Sequence, residues 1–370
     1  MGSAPLHIGI DGSELLGHPT GVGRFLTEIL RAWSAHRDTP HRFTLFLPGA
    51  APASAPWLAP EDTRFTFVAD PDNRPGTWWE QTRLPGLVAR ARVNVLLSPG
   101  YTAPIRLSCP SVLAVHDVSF FAHPEWFHWR EGLRRRWLTK NAARRAHTVV
   151  TISKFSSGEI QHWLGVAPGR IQIVYPGPPV IRPTTGESRQ PVVLFVGSLF
   201  TRRHIPELIR AFADVRARVP DAALVLVGDN RTSPREDPIA IAEQAGIRDR
   251  VTWRAYAPDD EVNRLYASAR VFVFLSDYEG FAMTPLEALA HGVPSVLLDT
   301  EVAREIYGAA ARYTNTGSGQ IAGAIGDLLT DDTERARLLG EGQRLLQEYS
   351  WPRAAAQLLA TLESAARLAK

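Results

Sequence analysis

The 370-residue chain carries a single cysteine, no long apolar run and little net charge, and each shortage excludes something. Cys109 has no second cysteine to pair with. It lies between apolar segments and reads as a small buried hydrophobe rather than a nucleophile. No apolar run reaches the roughly 18 residues that a membrane-spanning helix needs. Residues 1–10 lack the charged-then-apolar pattern of a secretion signal, so a reducing cytoplasm is the expected compartment. No His/Cys group has metal-ligand spacing, and no P-loop pattern occurs. A formal net charge of +3 does not call for a nucleic-acid partner. Hydrophobic residues at 45% and charged residues at 21% are the proportions of a folded globular chain, not a disordered one.

What is present is an alternation of short apolar runs with helical patterns. Residues 6–10, 43–47, 64–68, 93–97, 112–115 and 149–152 read as strands, with a Gly-rich turn and a helix over 22–33 after the first. The alternation then breaks. Residues 175–190 read Tyr-Pro-Gly-Pro-Pro-Val-Ile-Arg-Pro-Thr-Thr-Gly-Glu-Ser-Arg-Gln, which is linker composition. Beyond it come strands at 192–196, 224–227, 251–254, 271–275 and 295–298. Helices at 205–219, 260–267 and 285–291 lie between them, and one more starts at Trp351-Pro352. Strands separated by helices imply parallel pairing, hence two doubly wound α/β domains. The expected division is 1–182, 183–352 and a terminal helix over 353–370. In such folds ligands bind beyond the carboxyl ends of the strands, and two facing domains would turn those ends toward one cleft.

The segment from Leu275 to Pro294 follows a strand and opens a helix. Thr284 reads as the N-cap, Pro285 as the first helical residue and Glu287 as the capping-box partner three residues on. Gly292 and Pro294 supply the stop. The free N–H groups at such a helix start suit a diphosphate. Glu279 and Gly280 lie in the preceding turn, where a carboxylate can accept from sugar hydroxyls and a glycine admits a ligand to the backbone. Two plainer readings stay open at this point: Glu287 as a cap only, and Glu279 as a solvated loop acid.

Two glutamates separated by seven residues, in Glu279-Gly-Phe-Ala-Met-Thr-Pro-Leu-Glu287-Ala, resemble the hallmark of the family 4 retaining glycosyltransferases. Further motifs in order strengthen the resemblance over nearly the whole chain. They are Thr20-Gly-Val-Gly-Arg-Phe, Trp79-Glu-Gln, Ser98-Pro-Gly-Tyr-Thr-Ala-Pro, Val115-His-Asp-Val-Ser-Phe, Thr151-Ile-Ser-Lys-Phe-Ser and Phe195-Val-Gly-Ser-Leu-Phe-Thr-Arg-Arg-His. Several are similar to bacterial mannosyltransferase-like members. The resemblance implies a GT-B fold, with an acceptor-side first domain, a donor-side second domain and a C-terminal helix crossing back to the first. It implies metal-independent hexosyl transfer in polysaccharide biosynthesis, with a nucleoside-diphosphate sugar as co-substrate and no further cofactor. GDP-mannose is the leading donor; a UDP-sugar or a dTDP- or GDP-deoxysugar is the alternative.

By the same resemblance, Glu287 holds the ribose hydroxyls and Glu279 the donor-sugar hydroxyls. The backbone of Gly280, Phe281, Ala282, Met283 and Thr284 contacts sugar and diphosphate. Gly197, Arg202 and Arg203 form the phosphate loop, in which the family usually has Lys at Arg203 and Asn at His204. Gly21 and Gly23 let the first loop approach donor or acceptor, and His116 touches the donor sugar. Asp117 orients His116 or caps the following turn. Retaining enzymes of this fold generally lack a placed protein nucleophile, so the implied step is front-side attack with the leaving diphosphate taking the acceptor's proton.

Other signals carry less. Gly21-Val-Gly-Arg-Phe-Leu lacks the third glycine of a dinucleotide fingerprint, and the next strand ends in Leu47-Pro48 without an acid, so NAD is not expected. Asp70-Pro-Asp72 matches an Asp-x-Asp metal motif of three residues but reads as a turn. The basic aromatic stretch 126–145 admits two readings. One is a surface helix with Leu133, Trp137 and Leu138 in the core; the other is contact with an anionic membrane or a lipid-diphosphate acceptor. An epimerase on the same fold has no motif support. A nucleotide-sugar-binding relative without turnover is disfavoured by the intact Glu279, Glu287 and Arg202.

Overall fold

The computed structural model describes residues 4–17, 20–50, 55, 57–59, 61–71, 76–179 and 189–368. The chain divides into two compact units, residues 1–177 with 350–370, and residues 178–349. The expected boundary at 182/183 and Asp72 both lie outside the described residues.

The first unit is built on seven parallel strands: β1 (His7–Asp11), β2 (Arg42–Leu47), β3 (Phe65–Ala69), β4 (Val95–Ser98), β5 (Ser111–Ala114), β6 (Thr148–Thr151) and β7 (Ile171–Ile173), in the order β3-β2-β1-β4-β5-β6-β7. The second has six: β8 (Val192–Val196), β9 (Ala223–Val227), β10 (Val251–Arg254), β11 (Val271–Phe274), β12 (Ser295–Leu298) and β13 (Ala311–Thr314), in the order β10-β9-β8-β11-β12-β13. All pairings are parallel, so each crossover must pass over a face, and helices supply it. The central strands β4, β5, β11 and β12 are buried along their full length, as strands covered on both faces must be. Strand order reverses between β1 and β4 in the first sheet and between β8 and β11 in the second. Neighbouring loops leave those points to opposite faces and open a crevice.

The helix Gly21–Ala35 starts at Thr20, whose hydroxyl accepts from the Gly23 N–H at 3.0 Å. It buries Phe25, Leu26, Ile29, Leu30 and Trp33 on one stripe. The last helix, Trp351–Leu368, packs against it and buries Leu358, Leu362, Ala365 and Ala366. The Trp33 indole donates to the Ala355 carbonyl at 2.9 Å, and His41 Nε2 lies 2.8 Å from Glu363. The terminal helix therefore belongs to the core of the first unit.

Two expectations need correcting. The helix Trp129–Arg145 does not bury Leu133 and Trp137: both are exposed, and only Leu138 of the three faces inward. Its buried face is made of Leu138 and of Gly132, Thr139, Ala142 and Ala143, four small residues that let the helix pack closely while Leu133 and Trp137 turn outward. Asp70 is more than a turn residue. It is buried, and its carboxylate accepts from the Trp79 indole at 3.2 Å and from Arg83 at 2.9 and 3.0 Å. Among the described residues no helix is long and apolar enough to cross a membrane.

A buried acid, Asp11, and a half-buried one, Glu80, shape the first unit. Burial pushes Asp11 up to about 6 and Glu80 up to about 7, the Glu80 shift reinforced by the negative charge of Asp11 and opposed by the Thr102 hydroxyl and Gln81 amide that donate to it. A carboxyl whose folded pKa is raised adds stability below its unfolded value and loses it as pH rises through the folded one. Glu80→Gln should therefore flatten the fall in stability between pH 4.5 and 7 and leave the variant more stable than the parent at pH 8, by at most about 3 kcal/mol at the usual cost per pKa unit; melting curves at pH 4.5, 7 and 8 check it, and an unchanged pH profile contradicts it. In the second unit, Gly228 has φ +142, and a methyl group there would meet the Gly197 carbonyl oxygen at 2.0 Å. Gly246 has φ +69 and open space around it. Gly228→Ala should cost more than about 2 kcal/mol, and Gly246→Ala about 1 kcal/mol from backbone strain alone; equal losses in denaturant titration would show that the close approach is relieved.

Candidate active site

The loops after β8 and β11 leave the sheet at the reversal of strand order, and they carry most of the candidate donor residues of the second unit. The β8 loop turns at Gly197, whose φ is +143; a methyl group there would come within 2.7 Å of Arg203 Nη1. Glycine thus makes the space in which Arg203 lies. The short turn Thr201–Arg203 follows, and His204 at φ +50 links it to the helix Ile205–Arg218.

Arg203 is the hub. Its Nε and Nη2 donate to Glu279 Oε1 at 3.1 and 2.8 Å, and its Nη1 donates to the Ser198 carbonyl at 2.8 Å. Its guanidinium carbon lies 4.8 Å from the Phe274 ring centre and 5.4 Å from that of Phe200. The planar fork suits a carboxylate and an aromatic face together, which an ammonium would not match. Arg202 stacks on Phe200 at 4.3 Å, and its carbonyl accepts from the Asp277 N–H at 3.0 Å. His204 Nε2 lies 2.9 Å from Asp277, whose carboxylate raises the imidazole pKa above its ordinary value. Three consecutive residues of one loop are thereby tied to the next.

Glu279 receives a third contact, from the Ser276 hydroxyl at 2.9 Å. All three contacts use Oε1, so Oε2 has no partner among the described residues. A small pocket open to solvent lies beside it, lined by Phe274, Leu297, Leu298, Val302 and Tyr307 with Ser276 and Thr300 as polar members.

The helix that follows differs from the expected one. It runs Met283–Ala290, and its N-cap is Ala282 in a left-handed conformation at φ +64, with no side-chain cap. Thr284 is inside the first turn, and the Thr284–Glu287 capping box does not form. The Tyr307 hydroxyl donates to the Ala282 carbonyl and holds the turn that starts the helix two residues early. Pro285 is tolerated there because first-turn N–H groups need no intrahelical partner. Glu287 points inward instead: it is buried, and its Oε2 accepts from the Tyr266 hydroxyl at 3.3 Å. Phe281 packs its side chain in the core against Tyr349 at 5.4 Å, which leaves its backbone for any ligand.

In the first unit, His116 follows β5. It is buried, packed edge-on against Phe25 at 5.1 Å and Tyr101 at 5.7 Å, with Nε2 3.0 Å from the Pro99 carbonyl. A carbonyl only accepts, so Nε2 carries the proton, and burial lowers the ring's pKa below its ordinary value. His116 is thus a neutral imidazole with Nδ1 as an acceptor. Asp117 does not orient it. Asp117 caps the turn through the Ser119 N–H at 2.8 Å and accepts the Tyr101 hydroxyl at 2.8 Å. Gly21 and Gly23 form the first turn of a helix rather than a loop. Gly23 is needed because a methyl group there would meet the Glu14 carbonyl at 2.6 Å, while Gly21 faces open space. Sequence reasoning assigned no role to Asp11, Glu80 or Tyr101; Glu80 stood inside a quoted motif, but its burial has no sequence signal. Among the described residues no group of three His, Cys, Asp or Glu side chains is placed to hold a metal ion.

Comparison with known proteins places this geometry. Residues 19–180 match the model described as Glycosyltransferase Family 4, and residues 180–344 match that described as Glycosyl transferases group 1. A mannosyltransferase of Mycolicibacterium hassiacum, the MMP alpha-(1->4)-mannosyltransferase, is 29% identical over 291 residues, 74% of this chain and 69% of its own. The O-antigen chain mannosyltransferase B of Escherichia coli is 27% identical over 282 residues, 70% of this chain and 72% of its own. Among solved structures, Anabaena HepE in complex with UDP and glucose superposes with a TM-score of 0.72 at 20% identity, covering 97% of this chain and all of that one. Sucrose-phosphate synthase of Thermosynechococcus elongatus superposes with a TM-score of 0.77 at 16% identity, covering 97% and 98%. The architecture is that of the GT-B glycosyltransferases, and the chain belongs to the family 4 glycosyltransferases.

Proposed function

We propose that this glycosyltransferase moves a hexosyl group from a nucleoside-diphosphate sugar to a glycan or lipid-linked acceptor with retention at the anomeric carbon, GDP-mannose being the leading donor. The observation that carries the reading is the gathering of Arg202, Arg203, Glu279 and the Glu287 helix at the β8/β11 reversal. The donor choice draws on the two mannosyltransferase relatives.

Arg202 and Arg203 would neutralise the charge that develops on the leaving diphosphate, and electrostatic aid of this kind is usually the largest catalytic contribution. Glu279 Oε2 would accept from donor-sugar hydroxyls while Oε1 stays tied to Arg203 and Ser276. Glu287 would take the ribose hydroxyls, and the backbone of 280–284 the sugar and diphosphate. In the front-side step the bond from the anomeric carbon to the diphosphate oxygen breaks. The acceptor oxygen bonds to the same face, and its proton passes to the departing diphosphate. No protein nucleophile is needed, and a carboxylate held by a guanidinium and a hydroxyl is a poor one. His116, neutral, would accept from a substrate hydroxyl through Nδ1. The first unit would serve the acceptor and the second the donor.

Glu287→Ala should weaken GDP binding more than tenfold by calorimetry, and Tyr266→Phe much less. Unchanged nucleotide affinity with a lower melting temperature would mean that Glu287 serves only to anchor Tyr266. Arg203→Ala leaves a largely buried carboxylate unpaired and should cost about 3 kcal/mol or more in stability. The double variant Arg203→Ala/Glu279→Ala should recover much of that stability, yet turn over GDP-mannose at a small fraction of the parent rate. Donor turnover that returns together with stability would remove the pair from the chemistry.

A further inference from the structure

The helix Trp129–Arg145 presents a face that the transferase reading does not use. Trp129, Leu133 and Trp137 are 61%, 52% and 60% exposed. Spaced four residues apart, they form one line along the helix. Only three other large apolar side chains among the described residues are comparably exposed: Trp78, Tyr256 and Leu368. Trp78 adjoins the same region, because Arg134 on this helix also donates to the side chain of Thr77.

Cations surround that line. At 100° per residue, Lys140 and Arg144 fall among the three apolar positions, and Arg130, Arg134 and Arg145 follow on one side. The helix has one acid, Glu131, and Arg134 holds it at 2.7 Å. The opposite side is committed to the core through Gly132, Leu138, Thr139, Ala142 and Ala143. Large apolar groups therefore face water on a helix that has already satisfied its packing.

The chemistry selects the occupant. The core of a protein interface is depleted of charge, whereas here each apolar side chain has a cation beside it. A protein partner would have to supply a matching acid for each. A fluid anionic surface satisfies all of them at once, and tryptophan, arginine and lysine are the side chains that settle with an apolar body below the headgroups and a polar end among them. We propose that this helix lies in the plane of an anionic phospholipid surface, with Trp129, Leu133 and Trp137 entering the headgroup–acyl boundary and Arg130, Arg134, Lys140, Arg144 and Arg145 on the lipid phosphates. The inference rests on the exposed face of this helix and stands whether or not the sugar-transfer assignment holds.

Flotation with vesicles of phosphatidylcholine alone, or with phosphatidylglycerol added, tests it. The parent protein should float with the anionic vesicles, less so at high salt, and not with phosphatidylcholine. Trp129→Ser/Trp137→Ser and Arg144→Glu/Arg145→Glu should each lower the partition coefficient at least tenfold, since one cation near such a surface contributes about fivefold, or about 1 kcal/mol. Leu368→Ser, on an exposed residue elsewhere, should change nothing. Melting temperature and GDP affinity, measured on the same variants, should stay at parent values, so that lost flotation is not lost folding. Equal binding to both vesicle types, no binding to either, or parent-like flotation of both double variants overturns the proposal. So does a concentration-dependent dimer in sedimentation that the tryptophan variants abolish, which would make the face an interface between copies.

Discussion

The ion pair between Arg203 and Glu279 is the constraint on which the second unit's site depends. It bridges the loops of the two central strands at the point where strand order reverses, and both side chains are largely buried. Such a pair contributes little net stability, because desolvating two charges offsets most of their attraction. Its effect is geometric. It fixes which oxygen of Glu279 remains available, and it places a guanidinium between two aromatic rings at the mouth of the sheet. Gly197 follows from this, because a side chain there would occupy the space of the guanidinium. Gly228 follows in turn, because the Gly197 backbone leaves its neighbour no room for a methyl group.

The first unit uses burial where the second uses charge pairing. His116, Asp11 and Glu80 are all driven toward their neutral forms by loss of solvent. A neutral imidazole whose Nε2 proton is fixed on a backbone carbonyl offers a lone pair and no charge. That suits hydrogen bonding to a hydroxyl better than stabilising an oxyanion. In the other unit charge is kept, with the Glu279 carboxylate holding the geometry of Arg203.

Much of this was legible in the sequence, and the exceptions have physical causes. Buried central strands such as β8, β11 and β12 announce themselves as apolar runs between turn residues. β7 and β13 do not: they are edge strands of three and four residues, Ile-Gln-Ile and Ala-Arg-Tyr-Thr, with polar side chains on their open sides. The Glu279–Glu287 spacing was visible, but the cap was misread, because a left-handed alanine held by a tyrosine 25 residues away leaves no local signal. The helix Trp129–Arg145 was ambiguous for a related reason. Periodicity shows that apolar residues share a face, but not whether that face or a face of small residues meets the sheet. Alanine, glycine and threonine carry little weight in a hydrophobic pattern, yet here they form the packed side.

Glu279 and Glu287 are held by different groups. Glu279 faces a cation and is bound through one oxygen only, so it can accept a hydroxyl without giving up its counter-ion. Glu287 faces the neutral hydroxyl of Tyr266 from inside the short helix that opens at Ala282. A phenol helps to orient a carboxylate without neutralising it, and the positive end of the helix backbone favours negative charge within its first turns. Under the proposed function a ribose diol, which offers two donors, would meet the carboxylate that Tyr266 helps to position. Under the same reading a sugar hydroxyl would meet a carboxylate already paired with a guanidinium, which would bring less excess negative charge near a departing diphosphate. The left-handed Ala282 lies between the two glutamates. It ends the loop that belongs to Arg203 and begins the helix that belongs to Tyr266.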